Sequence, residues 1–248
     1  MTRRGVRAVV AVPVLGVLGG LLVWAFAGMP SFGHYRGPYG DILNRVAVPQ
    51  RHTTNVVGAT VFDYRGVDTM GEEFILFAAV MGVVLLLRGT GGSGREPEPR
   101  DAVRSDAFRH VGVVMVGVVA LVGLWLSAFG YVTPGGGFQG GVALSAGAIL
   151  LYLAGSYRSW RRLTVERAID PLEGTGAGGY VVVGLAALVA GLPFLKNLLG
   201  PGQTGTLFSG GSIAFVNWAS ALEVAAANIL LYREFLEEYV APVVRSRT

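Results

Sequence analysis

The chain has no cysteine, one lysine, three histidines and few charges of either sign. Each shortage excludes something. Without cysteine there can be no disulfide, thiolate zinc site or cysteine-held iron–sulfur cluster within the chain. His34, His52 and His110 show no metal-ligand spacing and read as polar loop or helix-end residues, although His52 precedes an acidic segment. Charged residues are 15% of the 248, where a soluble domain carries about 25%. Hydrophobic residues are 52% and the mean hydropathy is +0.54. That balance, with its long apolar runs, predicts an all-α integral membrane protein. A pI near 9.6 raises the question of nucleic acid. The basic residues, however, gather at the ends of apolar runs rather than in one patch, which membrane topology explains better. No nucleophile–base arrangement, metal motif or phosphate loop is present, so neither a cofactor nor independent enzymatic activity is expected.

What is present is a series of about six transmembrane helices separated by Gly-rich irregular loops. The spans are expected at 8–27, from near Thr69 to Arg88, and at Val111–Phe129, Gly141–Tyr157, Tyr180–Leu195 and Ser212–Tyr232. The first run has a competing reading as a signal peptide, because it ends AFA-G at Ala25–Gly28. Asn55–Phe62 is apolar but too short to span. Residues 158–179 read as a basic, polar connection with an interfacial turn around Trp160–Ile169. Glycine, proline and charge mark 95–105 as a linker. It would divide a two-span module at 1–94 from a four-span module at 106–240, with a tail at 241–248. Under six spans, Arg36, Arg45, Arg51, Arg65 and Lys196 fall on one side, and the other fifteen of the 20 basic residues on the opposite side. The positive-inside rule then puts both termini in the cytoplasm.

The stretch Tyr131–Gly141, YVTPGGGFQGG, is irregular backbone at a span junction. Gly135–Gly140 matches G-x-G-x-x-G but lacks the strand and βαβ context of a dinucleotide fingerprint. Gly137, Gly141 and Ser145 are spaced for close helix packing. The alternative is a loop that shapes or gates an ion or water path, built from Pro134, Gly135, Gly136, Gly137, Phe138, Gly140 and Gly141. Both readings can hold together. Glu223 lies mid-span in WASALEVAAANILLY, where a carboxylate costs ~2.5–3.5 kcal/mol and usually faces a bundle interior or cavity. It reads as a relay for protons or cations, or as a buried structural acid. Asn217 and Asn228 could extend a polar stripe on the same span. Asp63, Asp68, Glu72 and Glu73 precede or open the second span; they read as ion-pathway acids that recruit cations at a helix mouth, or as helix caps. Lys196 reads either as an interfacial lysine or as a cation beside a path.

These motifs resemble a known family. YVTPGGGFQGGVALSAG is similar to the glycine-loop signature of the B-type component (MnhB/MrpB) of Mrp-type multisubunit sodium/proton antiporters, and GGSIAFVNWASALEVAAANILLYREFLEEY looks like that component's last span. The resemblance covers 106–239. HTTNVVGATVFDYRGVDTMGEEFILFAAVMGVVLLLRG resembles the C-terminal end of the antiporter's large A-type component, a module shared with membrane-bound hydrogenases. The chain departs from the family at Tyr131, where a histidine is often found. The resemblance implies an accessory subunit of a complex-I-related assembly in a bacterial plasma membrane. Its partners would be large antiporter-like and small subunits, Na+, H+ and lipid, with no nucleic acid. It implicates Glu72, Pro134 and Phe138 in transport. Two rival expectations stay open: the ion-translocating arm of a hydrogenase-like respiratory complex, and a purely structural scaffold.

Overall fold

The computed structural model describes residues 3–33, 37–88 and 105–236. The linker expected at 95–105 (save Ser105), the tail at 241–248 and His34 lie outside the described residues. Two compact units are present, Met1–Asp41 and Ile42–Thr248. The first holds helix α1 (Arg3–Ala27), whose apolar part Ala11–Ala27 is shorter than the candidate spans of the second unit.

Helix α2 (Pro38–Arg51) leads into the second unit. There, α3 (Val56–Ala59) starts at Asn55, whose side-chain oxygen accepts from the Gly58 amide. A π-helical turn at Thr60–Tyr64 follows, and then α4 (Gly66–Arg88). Helix α5 (Asp106–Phe129) is capped by Ser105, which accepts from the Phe108 amide. The remaining helices are α6 (Gly137–Ala154), α7 (Tyr157–Leu163), α8 (Glu166–Val189) and α9 (Ser212–Phe235). Among the described residues, five helices, α4, α5, α6, α8 and α9, are long and apolar enough to cross a membrane. The described residues contain no β-strand, only one isolated bridge between Gly202 and Ser209. The protein is therefore all-α.

Most spans lie within a few residues of expectation, but the fifth does not. Expected at Tyr180–Leu195, it is the helix Glu166–Val189. The run EGTGAGG at 173–179 resembles a polar loop, yet it is helical. In membrane helices small residues mark close approach rather than a break. Gly176 illustrates the point: a Cβ there would meet the backbone nitrogen of Glu223 at 2.5 Å. The second span also begins earlier than Thr69, at Gly66.

Helix α9 is the hub. Two thirds of its apolar window (67%) is buried, against 17% for α4 and α5, and α4, α6 and α8 all pack on it. The glycines of α6 make this possible. A Cβ at Gly137 would run into the Asn217 carbonyl oxygen, and one at Gly141 would meet Val224 at 2.7 Å. The chain alternates direction through the bundle. The starts of α4, α6 and α9 lie at the glycine-loop end with the finishes of α5 and α8.

Two apolar clusters stack along the α4–α8–α9 seam. Near the glycine-loop end, Phe62, Tyr131, Tyr180, Leu195, Ile213 and Val216 pack together, with Met70 and Val183 against them. Toward the other end lie Val80, Val84, Ile169, Ala226, Ala227 and Leu230, with Leu76 against them.

Candidate functional site

Three carboxylates occupy the layer between those two clusters. On α4 the order is Met70, Glu73, Leu76. On α8 it is Ile169, Glu173, Tyr180. On α9 it is Val216, Ser220, Glu223, Ala226. Glu73 is 1% exposed, and Glu173 and Glu223 are 0% exposed. All six of their carboxylate oxygens lack a hydrogen-bond partner, as do Ser220 Oγ and Asn217 Oδ1. Glu73 lies beside both Glu223 and Ser220, and Glu173 is within electrostatic reach of Glu223. Burying an unpartnered charge is among the costliest arrangements available to a protein, and binding a proton removes most of that cost.

The layer is stepped. Gly176 touches the Glu223 backbone, so Glu173, three residues earlier on α8, lies about one turn nearer the end away from the glycine loop. Asp170, half-buried, is one turn further along the same helix and within electrostatic reach of Glu173. In the other direction the Tyr180 hydroxyl donates to the Gly66 carbonyl at 3.0 Å and neighbours Thr69 and Glu73.

Beyond Tyr180 an open cleft of about 480 Å³ is lined in part by Arg51, Asp63, Arg65, Asp68 and Lys196. Arg51 Nε donates to Asp63 at 2.7 Å and stacks over the Tyr64 ring at 4.7 Å. Arg65 Nε donates to Asp68 at 2.5 Å. Of the charged residues conspicuous in the sequence, Asp63, Asp68 and Lys196 thus meet at the cleft, while Glu73 and Glu223 meet in the layer. Glu72 is exposed, about 100° around α4 from the buried Glu73. Glu173 escapes a reading of the sequence, because its glycine-rich surroundings look like a connection.

The glycine loop is built differently. Asn55 Nδ2 donates to the carbonyls of Gly130 at 2.5 Å, Thr133 at 3.1 Å and Gly135 at 3.2 Å. Thr53 and Thr54 donate to the Tyr131 and Val132 carbonyls. Asn217 Nδ2 donates to the Ser127 carbonyl at 2.7 Å, and Trp218 Nε1 to that of Ala128 at 3.3 Å. Gly135, at φ +142°, adopts backbone that suits glycine. A Cβ at Gly140 would overlap Ser127 Oγ, and one at Gly136 would approach Gln139 Oε1 at 2.7 Å. Pro134 is exposed and Phe138 half-buried. His52 Nδ1 lies 2.7 Å from the Gly202 carbonyl, and His110 Nδ1 lies 2.7 Å from its own helix's Asp106 carbonyl. No group of three or more His, Cys, Asp or Glu side chains could hold a metal ion among the described residues.

Apolar helices around a central span, with carboxylates kept inside the bundle at mid-depth, define a multi-pass α-helical membrane protein. More narrowly, the chain belongs to the family described as "domain related to MnhB subunit of Na+/H+ antiporter", which matches residues 107–230. It is 34% identical over 105 residues to the B-type component of the Na(+)/H(+) antiporter of Bacillus subtilis, covering 42% of this chain and 70% of that protein. It is 33% identical over 168 residues to the A/B-type component of a probable K(+)/H(+) antiporter of Rhizobium meliloti, covering 58% of this chain but only 16% of that much longer one. That relative is compatible with an N-terminal segment of the A type. An uncharacterized protein of Methanocaldococcus jannaschii is 28% identical over 214 residues, 74% of this chain and 78% of its own. Among solved structures, a chain of the membrane-bound sulfane sulfur reductase, an archaeal respiratory membrane complex, superposes with a TM-score of 0.72 at 28% identity, covering 94% of this chain and 99% of that one. The Mrp complex from Dietzia sp. DQ12-45-1b shares the fold, with a TM-score of 0.67 at 23% identity over all of this chain and 27% of that one.

Proposed function

We propose that the protein is an accessory membrane subunit of a multisubunit monovalent cation (Na+)/proton antiporter, contributing part of the ion pathway rather than acting alone or as an enzyme. One observation carries this reading. Glu73 and Glu223 are fully buried and adjacent, their nearest polar neighbours are each other and Ser220, and an apolar cluster closes the layer on each side. A scaffold has no use for such a layer, because removing the charges would only ease insertion. The cleft with Asp63, Asp68 and Lys196 is the approach to it, with Tyr180 between. The glycine loop, from Pro134 to Gly141, holds α6 against α9 and so sets the wall of the path. Large antiporter-like subunits of the same complex would cover the exposed apolar faces of α4 and α5. The distribution of arginines supports a topology with both termini in the cytoplasm of a bacterial cell.

The test is Glu223→Gln in the assembled complex. Antiport in inverted vesicles should fall by about a hundredfold, while the complex purifies in normal yield. Normal antiport would remove the basis of the reading. A second reading is favoured by the full-length superposition on the sulfane sulfur reductase chain. In it the same path serves a redox-driven respiratory complex. Co-purification of an iron–sulfur-bearing subunit would decide for that alternative.

A further inference from the structure

The layer contains one more acid than the pair just described, and its position shows what it would do. Glu173 is 0% exposed, and neither of its carboxylate oxygens has a hydrogen-bond partner. It lies a turn beyond Glu223, on the side away from the cleft, and Asp170 follows a turn later. On the cleft side of Glu223 two further buried polar atoms, Ser220 Oγ and Asn217 Oδ1, are unpartnered on the same helix. Ser220 Oγ lies beside the Glu73 carboxyl, where a hydroxyl can both accept and donate a proton, and the Asn217 amide oxygen can accept one hydrogen bond.

The three acids do not converge as a cation site does. An alkali or alkaline-earth ion is held by several oxygens around one point. Among the described residues no three acidic side chains meet that way. They are spread along the bundle, one from each of α4, α9 and α8.

We infer that Glu173 is the third station of a proton path through this chain, passing protons between the Glu73–Glu223 pair and Asp170, and that the path carries protons rather than the alkali cation. The inference rests on the reading of the layer as part of an ion pathway. Each step moves one proton from a carboxyl O–H to the neighbouring carboxylate oxygen, leaving the donor as carboxylate, with no change in oxidation state. The groups facing Glu173 are Asp170 on its own helix, Glu223 on α9 and, beyond it, Glu73 on α4. Gly176 is the positioning residue, since only a residue without Cβ lets α8 approach α9 this closely.

The experiment uses the whole complex in inverted vesicles, with proton movement followed by a pH-sensitive dye and Na+ or K+ as the titrated cation. Glu173→Gln should slow proton movement at least tenfold while leaving the half-saturating cation concentration unchanged. A raised half-saturating concentration would make Glu173 a cation ligand and overturn the inference. So would a normal rate in Glu173→Gln alongside a dead Glu223→Gln, although the ion-pathway reading would then stand. If both variants transport normally, the reading and the inference fall together. Should Glu173→Gln not assemble, Glu173→Asp keeps the titratable group but shortens its reach. Its rate should fall severalfold with cation dependence unchanged, and a wild-type rate across the pH range would refute the proton role.

Discussion

The glycine-loop end and the carboxylate layer solve the same problem in opposite ways. Both place polar atoms at or near membrane depth, where an unsatisfied backbone group costs several kcal/mol. At the loop, side chains of Asn55, Thr53, Thr54, Asn217 and Trp218 donate to the free carbonyls. In the layer, six carboxylate oxygens, one hydroxyl and one amide oxygen have no partner. A protein able to satisfy three carbonyls with a single asparagine could equally have satisfied three acids. Under the proposed function the layer is the place where protons bind, and the loop is the frame that holds it.

The largest expected effect comes from breaking the frame. Gly137→Leu would drive a side chain into the Asn217 carbonyl and Ser220. Overpacking at such a contact costs about 3 kcal/mol or more, because backbone has to move. The complex should fail to assemble, read as its disappearance from a native gel. If it assembles and transport alone is lost, the loop belongs to the path, and the division between frame and layer fails.

The next test sharpens the comparison within one helix. Glu72 and Glu73 are neighbours, one exposed and one buried. Glu73→Gln should reduce antiport about a hundredfold, roughly 2.7 kcal/mol of barrier, with assembly intact. Glu72→Gln should change it less than threefold. Equal losses would show that a partner subunit encloses Glu72 and that the path runs between chains as well as within this one.

This pair also shows how far the sequence was legible. The all-α membrane class, the approximate number of spans and the burial of Glu223 can be read from hydropathy and from one charge in a long apolar run. Which of Glu72 and Glu73 points inward cannot, because it depends on where α4 starts. A start at Thr69 puts both in the first turn, as caps. The actual start at Gly66 puts Glu73 in the third turn, against α9. Glu173 was hidden for a related reason: its helix carries Gly174, Gly176, Gly178 and Gly179, which local propensity counts against a helix and which packing against α9 overrules. Asn55 gave no local signal. Its three acceptors lie some 75 to 80 residues away.

The smallest effect tests whether the frame is only a frame. Tyr131 is buried at the loop, where its hydroxyl donates to the Leu207 carbonyl at 2.5 Å. Tyr131→Phe removes that bond and leaves the ring packed against Trp218. The cost should be about 1 kcal/mol, seen as a thermal midpoint a few degrees lower at neutral pH. Burial pushes the Tyr131 phenol up from its ordinary value near 10. A group whose value is higher in the folded protein gives its full stabilisation below the unfolded value, and loses it as pH rises through the folded one. Wild-type stability should therefore decline above about pH 10, and the gap between wild type and Tyr131→Phe should narrow over the same range. Antiport per assembled complex should be unchanged at neutral pH. A variant that stays fully stable yet transports poorly would place Tyr131 on the path, and the contrast between a satisfied loop and an unsatisfied layer would no longer separate structure from transport.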